Sequence, residues 1–240
     1  MELRNSLQIT LGDPDRLAAE VSGVVRRFPV EGDLVTALDH VDLKIRFGEM
    51  TVVAGPSGSG KSTLLSLLAC TQRPDEGSVK IGDTEVLMLG RRDRRELRRD
   101  RLGIVLPQPS ENLLDQLDAA ANVRWAAQQR RGRPAADTHN DLDEILAAVG
   151  LAAAGNRRVR ELSGGEQQRL AVACALAGDP ELIILDEPTA SLDRVSATTL
   201  VEVLAGVASR GATMVVATHD PLVIDAGQAI AELDHGRRVR

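Results

Sequence analysis

Three short runs of the chain are apolar and rich in β-branched residues along their whole length. They are Met50 to Ala54, Leu182 to Leu185 and Met214 to Ala217. Such continuous hydrophobicity is typical of strands buried on both faces, as in a parallel sheet covered by helices. Around these runs lie segments with helical periodicity, at roughly 61–70, 141–149, 164–178 and 194–209. The order of these elements predicts an α/β fold with ligand loops at the carboxyl ends of the strands.

Two regions depart from this alternation. From about Ala18 to Ile45, short alternating segments separated by Gly32 and Asp33 predict antiparallel strands. The region from about 107 to 160 has helical composition and no buried strand, so we expect an inserted helical subdomain there. Residues 1–17 are loosely patterned and are expected to form an N-terminal extension. No repeat or linker divides the chain, which favours a single domain over residues 1–240.

The composition indicates a globular protein of a reducing compartment. At 240 residues and 43% hydrophobic residues the chain is able to bury a core. Its longest apolar runs, such as Leu170 to Ala177, are far shorter than the roughly 20 residues that span a bilayer. The N-terminus lacks the basic and apolar regions of a signal peptide. Cys70 and Cys174 form no C-x-x-C pair, which argues against a disulfide framework or a zinc site.

The charge of the chain bears on its partners. The net charge of −6 gives no support to nonspecific binding of nucleic acid, so no nucleic-acid partner is expected. One exception is the segment Arg91 to Arg101, where seven arginines accompany three acids. This composition is typical of a solvated helix face, and contact with phosphates is the alternative interpretation.

A glycine-rich segment after the first apolar run matches the phosphate-loop pattern G-x-x-x-x-G-K-[ST]. The order strand, loop, helix places backbone N–H groups around phosphates. The lysine then reaches the outer phosphates, and the serine hydroxyl is a ligand for Mg²⁺. A chance glycine-rich turn is the alternative. The segment consists of Gly55, Pro56, Ser57, Gly58, Ser59, Gly60, Lys61 and Ser62.

Two carboxylates, Asp186 and Glu187, follow the apolar run that starts at Leu182. The first is expected near the Mg²⁺ of the phosphate loop. Glu187 then faces the attacking water and orients or deprotonates it, a contribution of about 10²–10⁴ in rate. Plain solvent exposure is the alternative for an acidic pair, and the phosphate loop upstream favours the catalytic interpretation.

A histidine, His219, follows the third apolar run in the segment VVATHDP. A single histidine in such a place is commonly a surface or capping residue. The carboxyl ends of parallel strands surround the ligand in α/β folds. His219 is therefore also a candidate to hydrogen-bond the γ-phosphate.

A second candidate anion site lies in LSGGEQQR, residues 162–169. A serine and two glycines before a polar, helix-favouring run are typical of an exposed helix N-terminus. Unpaired N–H groups and the helix dipole attract anions there. One chain would thus carry two phosphate sites that are well separated in sequence.

Together these motifs resemble those of the ATP-binding cassette (ABC) ATPases, from about Val21 to the carboxyl end. GPSGSGKST, which ends at Thr63, resembles the Walker A loop, LIILDEP resembles Walker B, and LSGGEQQR resembles the family signature. The segment 191–193 is similar to the D-loop, and His219 to the switch histidine. The resemblance implies a P-loop NTPase fold of the ABC type. Such a fold has a mostly parallel core sheet with helices, an N-terminal antiparallel β subdomain and an inserted helical subdomain.

In this family two cassettes pack head to tail, and the signature of one meets the γ-phosphate of the ATP held by the other's Walker A loop. The resemblance implies a second cassette as partner, expected to be another copy of the chain, and ATP and Mg²⁺ as cofactors. It also implies residues that contact the partner's nucleotide. These are Ser163, Gly164, Gly165, Glu166 and Asp193.

Two further positions are implied by the resemblance. Phe28, in VVRRFPVEG, occupies the place of an aromatic that stacks on adenine, and core packing is the alternative. Gln108 matches the Q-loop glutamine, which joins Ser62 and Asp186 at the Mg²⁺ and relays nucleotide state to the membrane partner. Prolines flank Gln108 here and the loop is one residue longer, which departs from the family pattern.

The motifs GPSGSGKSTLL and PTASLD are most similar to cassettes of the lipoprotein-release, macrolide-export and cell-division type. The resemblance implies an ATP-hydrolysing subunit that energises integral membrane permease subunits from the cytoplasmic face of the cell membrane. A soluble ABC ATPase that acts in DNA repair, translation or cofactor assembly is the alternative. The long coiled-coil or zinc insertion of the repair type is absent from the sequence.

Overall fold

The fold is that of a computed structural model, which describes residues 16–30, 32–130 and 142–240. The strands are β1 Leu17–Val30, β2 Asp33–Arg46, β3 Met50–Ala54, β4 Glu76–Ile81, β5 Thr84–Glu85, β6 Leu102–Val105, β7 Leu182–Asp186, β8 Met214–Thr218, β9 Ala229–Asp234 and β10 Arg237–Arg238. The α-helices are α1 Lys61–Leu68, α2 Arg91–Arg101, α3 Ala119–Gln129, α4 Leu142–Ala148, α5 Gly164–Leu176, α6 Arg194–Ala208 and α7 Pro221–Ala226.

The central sheet has the strand order β10-β9-β3-β8-β7-β6. All neighbours pair in parallel except β9 and β10, which are antiparallel. Strands β3 and β8 are buried at every position, as their unbroken apolar runs predict. The three predicted runs are thus the adjacent strands β3, β8 and β7. The predicted α/β fold is confirmed, and the carboxyl ends of these three strands meet at one edge.

The second sheet is antiparallel, in the order β2-β1-β4-β5. Its hairpin of β1 and β2 turns next to the pair Val30 and Asp33, which confirms the antiparallel strands predicted there. The loop after β3 is hydrogen-bonded to the turn between β9 and β10, since the N–H of Gly236 donates to the carbonyl of Ser59 at 3.1 Å. The N-terminal extension predicted over 1–17 lies outside the described residues, apart from Arg16 and Leu17. Leu17 already belongs to β1, so that part of the expectation was wrong.

Strand β6 was not among the predicted buried strands. It has only four residues and follows the arginine-rich helix α2 without a loop, so its apolar run is too short to be recognised. Its Gly103 lies close to helix α5, because a Cβ there would be 2.5 Å from the carbonyl oxygen of Ala175. Packing against α5, rather than local sequence, places this strand in the sheet.

The arginines of α2 do not all lie on a solvated face. Arg98 donates to the carbonyl of Cys70 at 2.8 Å. Arg101 makes two bonds to the carboxylate of Glu181, at 2.7 and 2.5 Å. These two arginines tie α2 to the neighbouring segments, so the interpretation as a solvated face holds for the other side of the helix.

The region between the loop after β6 and helix α5 contains α3, α4 and short 3₁₀ turns. No strand occurs in its described parts, 107–130 and 142–160. Residue 141, where a helix was expected to begin, lies outside the described residues. The extent of a helical subdomain here stays a prediction. In the ranges that the structure describes, no helix has the length and apolar character needed to cross a membrane.

A stability test follows from two glycines. Gly206 lies inside α6, and a Cβ added there would meet no atom within 4 Å. Gly206→Ala should therefore raise the free energy of unfolding by about 0.5–1 kcal/mol, because alanine loses less backbone entropy in a helix. Urea denaturation measures this difference. Gly103→Ala is the matched control and should lower the free energy of unfolding, so shifts of equal sign would contradict the packing described.

Candidate functional site

The loop between β3 and α1 is shaped by two glycines. A Cβ at Gly55 would lie 2.2 Å from the carbonyl oxygen of Leu233, and one at Gly60 would lie 2.5 Å from that of Ala37. The φ angle of Gly60 is 102°, in the region that side chains disfavour. Helix α1 begins after Gly60, which has no side chain to cap it, so its first N–H groups are open to an anion.

The loop lysine, Lys61, is 5% exposed. Its Nζ donates to the carbonyl oxygens of Gly55 and Pro56, at 2.8 and 2.9 Å. The same nitrogen lies 3.3 Å from Oε1 of Glu187. The ammonium group is thus held inside the curve of the loop, next to the acidic pair after β7.

The other loop residues complete a cradle. Ser57 and Gly58 are exposed at its tip, and Thr63 lies in the first turn of α1. The N–H of Ser59 donates to the carbonyl of Pro56 at 3.2 Å. Ser59 is buried, and its Oγ has no hydrogen-bond partner among the described residues. A buried polar atom without a partner fits a loop built for a polar ligand.

An oxygen pair lies beside the loop. The Oγ of Ser62 donates to Oδ1 of Asp186 at 3.1 Å. The pKa of Asp186 lies above its usual value, mainly because the carboxyl group is buried. The Ser62 hydrogen bond and the charge of Lys61 oppose this shift, and the Glu187 carboxylate adds to it. Mg²⁺ in phosphate sites takes one or two carboxylates and keeps its other positions for water and phosphate oxygens. The residues present therefore fit such an ion.

The backbone of Glu187 is strained. Its φ is 44°, in the left-handed region that costs about 1–2 kcal/mol for a residue with a side chain. Two bonds hold it there: its N–H donates to the carbonyl of Ala217 at 2.9 Å, and its carbonyl accepts the N–H of Ala190 at 3.1 Å. Strain at the residue nominated as the base indicates that its orientation is determined by the fold.

The carboxylate of Glu187 lies between two nitrogen groups. Nδ1 of His219 is 3.1 Å from both of its oxygens, and Lys61 lies beside Oε1. The side chain of Glu187 is 19% exposed and that of His219 is 64% exposed. The register explains the meeting, since Asp186 pairs with Ala217 and Ala54 with Thr218. The structure thus brings together Lys61, Asp186, Glu187 and His219.

The signature segment begins helix α5 with a capping box. The Oγ of Ser163 accepts the N–H of Glu166 at 3.2 Å, and Oε2 of Glu166 accepts the N–H of Ser163 at 2.7 Å. Oε1 of Glu166 accepts a bond from Arg157 at 2.8 Å. The backbone N–H of Ser163 is the main reason that the pKa of Glu166 lies below its usual value. The structure gives Glu166 a capping role, and its contact with nucleotide stays a prediction.

The D-loop aspartate lies beside the signature. Oδ1 of Asp193 accepts the N–H groups of Val195 and Ser196, both at 3.0 Å, and Oδ2 accepts the Ser196 hydroxyl at 2.8 Å. The bond from the Ser196 N–H is the main cause that lowers the pKa of Asp193. Gly165 touches the same serine, since a Cβ there would lie 2.8 Å from its side chain.

The signature and the phosphate loop are not joined within the chain. Across the described ranges, no hydrogen bond or ion pair links residues 163–166 to residues 55–63. Ser163 and Gly164 are exposed. The N-terminus of α5 is therefore open to a ligand that the phosphate loop of the same chain does not contact.

Phe28 lies near the outer end of the hairpin. Phe28 on β1 pairs with Val35 on β2. Leu38 lies three residues further along β2 and contacts the phosphate loop at Gly60. Three residues of strand cover about 10 Å. The half-buried ring thus lies about three residues along the hairpin from its contact with the phosphate loop, and stacking of Phe28 on a base stays a prediction.

Gln108 is exposed in the loop after β6. Asn112, which the sequence reasoning missed, holds this loop: it accepts the N–H of Leu106 at 2.8 Å and donates to the carbonyls of Leu106 and Gln108, at 2.9 and 2.8 Å. No hydrogen bond in the described chain links Gln108 to Asp186 or Ser62. Its role at the metal stays a prediction. The signal for Asn112 was an asparagine after a Pro-rich turn, a place where side-chain amides bond the backbone.

The chain resembles known proteins over most of its length. The family described as ABC transporter matches residues 38–190. A macrolide export ATP-binding/permease protein MacB from Burkholderia cenocepacia is 38% identical over 220 residues, which are 92% of this chain and 32% of MacB. An uncharacterised ABC transporter ATP-binding protein from Thermotoga maritima is 40% identical over 85% of this chain and 86% of its own length. The chain spans about a third of the length of its MacB relatives.

Solved structures show the same fold. The ATP-binding cassette MJ0796, in a dimeric post-hydrolysis state bound to ADP and Pi, superposes with a TM-score of 0.79 at 34% identity, over 92% of this chain and 97% of that one. CbiO1 from Clostridium perfringens, part of the ABC transporter complex cbiONQ, gives a TM-score of 0.82 at 26% identity, over 94% of this chain and 88% of that one.

Proposed function

The chain belongs to the ABC transporter family and is an ATP-hydrolysing cassette, and we propose that two such cassettes close on ATP and drive a membrane permease. The observation that carries the catalytic part is the position of Glu187 between Lys61 and His219. The partner of the cassette is a second copy of the chain. The pair lies on the cytoplasmic face of the cell membrane, against integral permease subunits.

The residues of one chain perform the following steps. Lys61 and the open N–H groups of α1 bind the outer phosphates of ATP. Glu187 accepts the proton of the attacking water. His219 orients the Glu187 carboxylate and hydrogen-bonds the γ-phosphate. Ser62 and Asp186 would hold Mg²⁺, which would supply positive charge against the negative charge that develops on the transferred phosphoryl group.

The signature completes the site of the other copy. Ser163 and Gly164 are exposed at a helix N-terminus that the same chain's phosphate loop does not reach, and such an end favours an anion. We place the γ-phosphate of the partner's nucleotide there. ATP then lies between two copies, whereas ADP lacks the phosphate that contacts the second copy.

The permease is proposed to dock in an open groove of about 300 Å³ between α2, α3 and α5. Trp125 lines this groove and is 47% exposed, and Leu106, Glu111 and Asn112 line it from the loop that carries Gln108. The lining combines apolar side chains, among them Leu102, Ile104 and Trp125, with polar ones, which favours an amphipathic helix as the docked segment. A segment seated there touches the loop next to the nucleotide site.

Trp125→Ala should weaken capture of the permease by about 2 kcal/mol, or about 30-fold in Kd, because a half-exposed tryptophan in a groove is the typical anchor of an interface. ATP binding by the isolated chain should not change. Titration of detergent-solubilised permease onto immobilised cassette measures the loss. Met88→Ala is the control, since Met88 is 83% exposed away from this groove. Equal loss in both variants would exclude the groove as the docking site.

The proposed function is tested by purifying the Glu187→Gln chain from gently solubilised native membranes with Mg²⁺ and ATP present. Recovery of a multi-span permease only with ATP supports the motor function. Recovery of soluble partners alone, in repeated trials, supports instead an ABC ATPase that is not coupled to transport. The measurement is mass spectrometry of the co-purified chains.

A further inference from the structure

The ring of Phe28 has a cation over one face. The guanidinium carbon of Arg26 lies 4.6 Å from the ring centroid, a distance at which a cation is attracted by the π-system. Arg26 and Phe28 are two residues apart on β1, and their side chains meet although the register with β2 shifts between Arg26 and Arg27. The guanidinium therefore covers one face of the Phe28 ring.

Arg26 is itself held in place by the segment that follows helix α1. Its Nη1 donates to Oδ1 of Asp75 at 2.9 Å, and its Nε lies 3.3 Å from Oε1 of Gln72. Asp75 is fixed independently of Arg26, since its N–H donates to the carbonyl of Val25 at 2.8 Å and its Oδ2 accepts the N–H of Arg27 at 2.6 Å. Asp75 thus orients the guanidinium without depending on it.

This segment is continuous with the phosphate-loop helix. The N–H of Gln72 donates to the carbonyl of Ser66 in α1, at 3.2 Å. Helix α1 begins at Lys61, so one short stretch of chain carries the phosphate-binding groups at one end and the anchors of Arg26 at the other. Two sets of contacts therefore fix the Phe28 ring relative to the phosphate loop: those of the hairpin and those of the anchored Arg26.

We propose that Arg26 is a positioning residue for nucleotide binding: it covers one face of the Phe28 ring and fixes the ring so that its other face receives the base. The proposal rests on the proposed function and on the stacking of Phe28 on the base. It assigns Arg26 no contact with the phosphates. The contribution of Arg26 to affinity requires a base in the ligand, whereas the contribution of Lys61 does not.

The experiment compares two ligands by calorimetry on the full chain: MgADP, which has a base, and magnesium pyrophosphate, which has none. Arg26→Met should lower the affinity for MgADP by about 3- to 10-fold, because methionine keeps the length of the side chain and removes the cation. The affinity for pyrophosphate should stay that of the unmodified chain. Arg26→Lys keeps a cation over the ring and should recover most of the loss.

Arg27→Met is the matched control. Arg27 is the next residue, is also partly exposed, and its guanidinium pairs with Glu76 at 2.7 Å instead of with the ring. It should leave the affinity for both ligands unchanged. In a chain that already carries Phe28→Ala, Arg26→Met should cause no further loss.

The proposal is overturned by equal losses for MgADP and pyrophosphate, by an Arg26 effect that persists without Phe28, or by a loss of the same size from Arg27→Met. If Phe28→Ala leaves MgADP binding intact, the base contact and this proposal fail together. Hydrolysis by Lys61 and Glu187 does not need that contact, so the proposed function survives this result. If the unmodified chain binds neither ligand, the proposed function itself fails.

Discussion

Glu187→Gln should lower ATP hydrolysis by about 10²–10⁴-fold while ATP remains bound. Glutamine has the size of glutamate and is able to keep a bond to His219, but it does not accept the proton of water. The substitution removes the ion pair between Glu187 and Lys61 but keeps the lysine and the N–H groups of α1 that are proposed to bind the phosphates. Binding and chemistry are therefore separated by one substitution.

A bound but unhydrolysed nucleotide should also hold two copies together. We expect a stable dimer of Glu187→Gln with Mg²⁺ and ATP, and a monomer with ADP, by size-exclusion chromatography with light scattering. Phosphate release measures the rate. Glu202→Gln, an exposed glutamate on α6, is the control and should match the unmodified chain. A Glu187→Gln variant that hydrolyses ATP at the unmodified rate would show that another group is the base.

Local sequence predicted the central part of the fold well. The runs at Met50, Leu182 and Met214 are continuous and β-branched because each strand is buried on both faces, so burial is directly visible in the sequence. The phosphate loop could be predicted for a similar reason, since its glycines are required by close backbone contacts at Gly55 and Gly60. The need for glycine at these positions is visible in the local sequence pattern.

Contacts between distant segments could not be predicted in this way. Strand β6 is too short to show a period, and its place depends on helix α5 touching Gly103. The anchoring of Arg26 by Asp75 joins residues 49 positions apart, and nothing in either segment indicates the other. The strained φ of Glu187 likewise depends on its bond to Ala217 in β8. These features follow from the way distant segments pack together, which local sequence patterns leave open.

Ser163→Arg should lower ATP hydrolysis by about 10²–10³-fold, the range for losing preorganised donors at a site where charge develops. The large side chain would fill the exposed N-terminus of α5 and remove the hydroxyl that caps Glu166. ATP binding to the isolated chain should be nearly unchanged, because the phosphate loop belongs to the other half of the site. Loss of binding in the monomer would contradict the two-chain arrangement.

Mixing two inactive variants gives the decisive form of this test. Lys61→Ala damages the phosphate loop and keeps the signature, whereas Ser163→Arg damages the signature and keeps the loop. If each site combines the loop of one copy with the signature of the other, a mixed dimer holds one intact site and one doubly damaged site. Random pairing should then restore roughly a quarter of the unmodified activity. If each chain hydrolysed ATP with its own signature, the mixture would stay as inactive as its components.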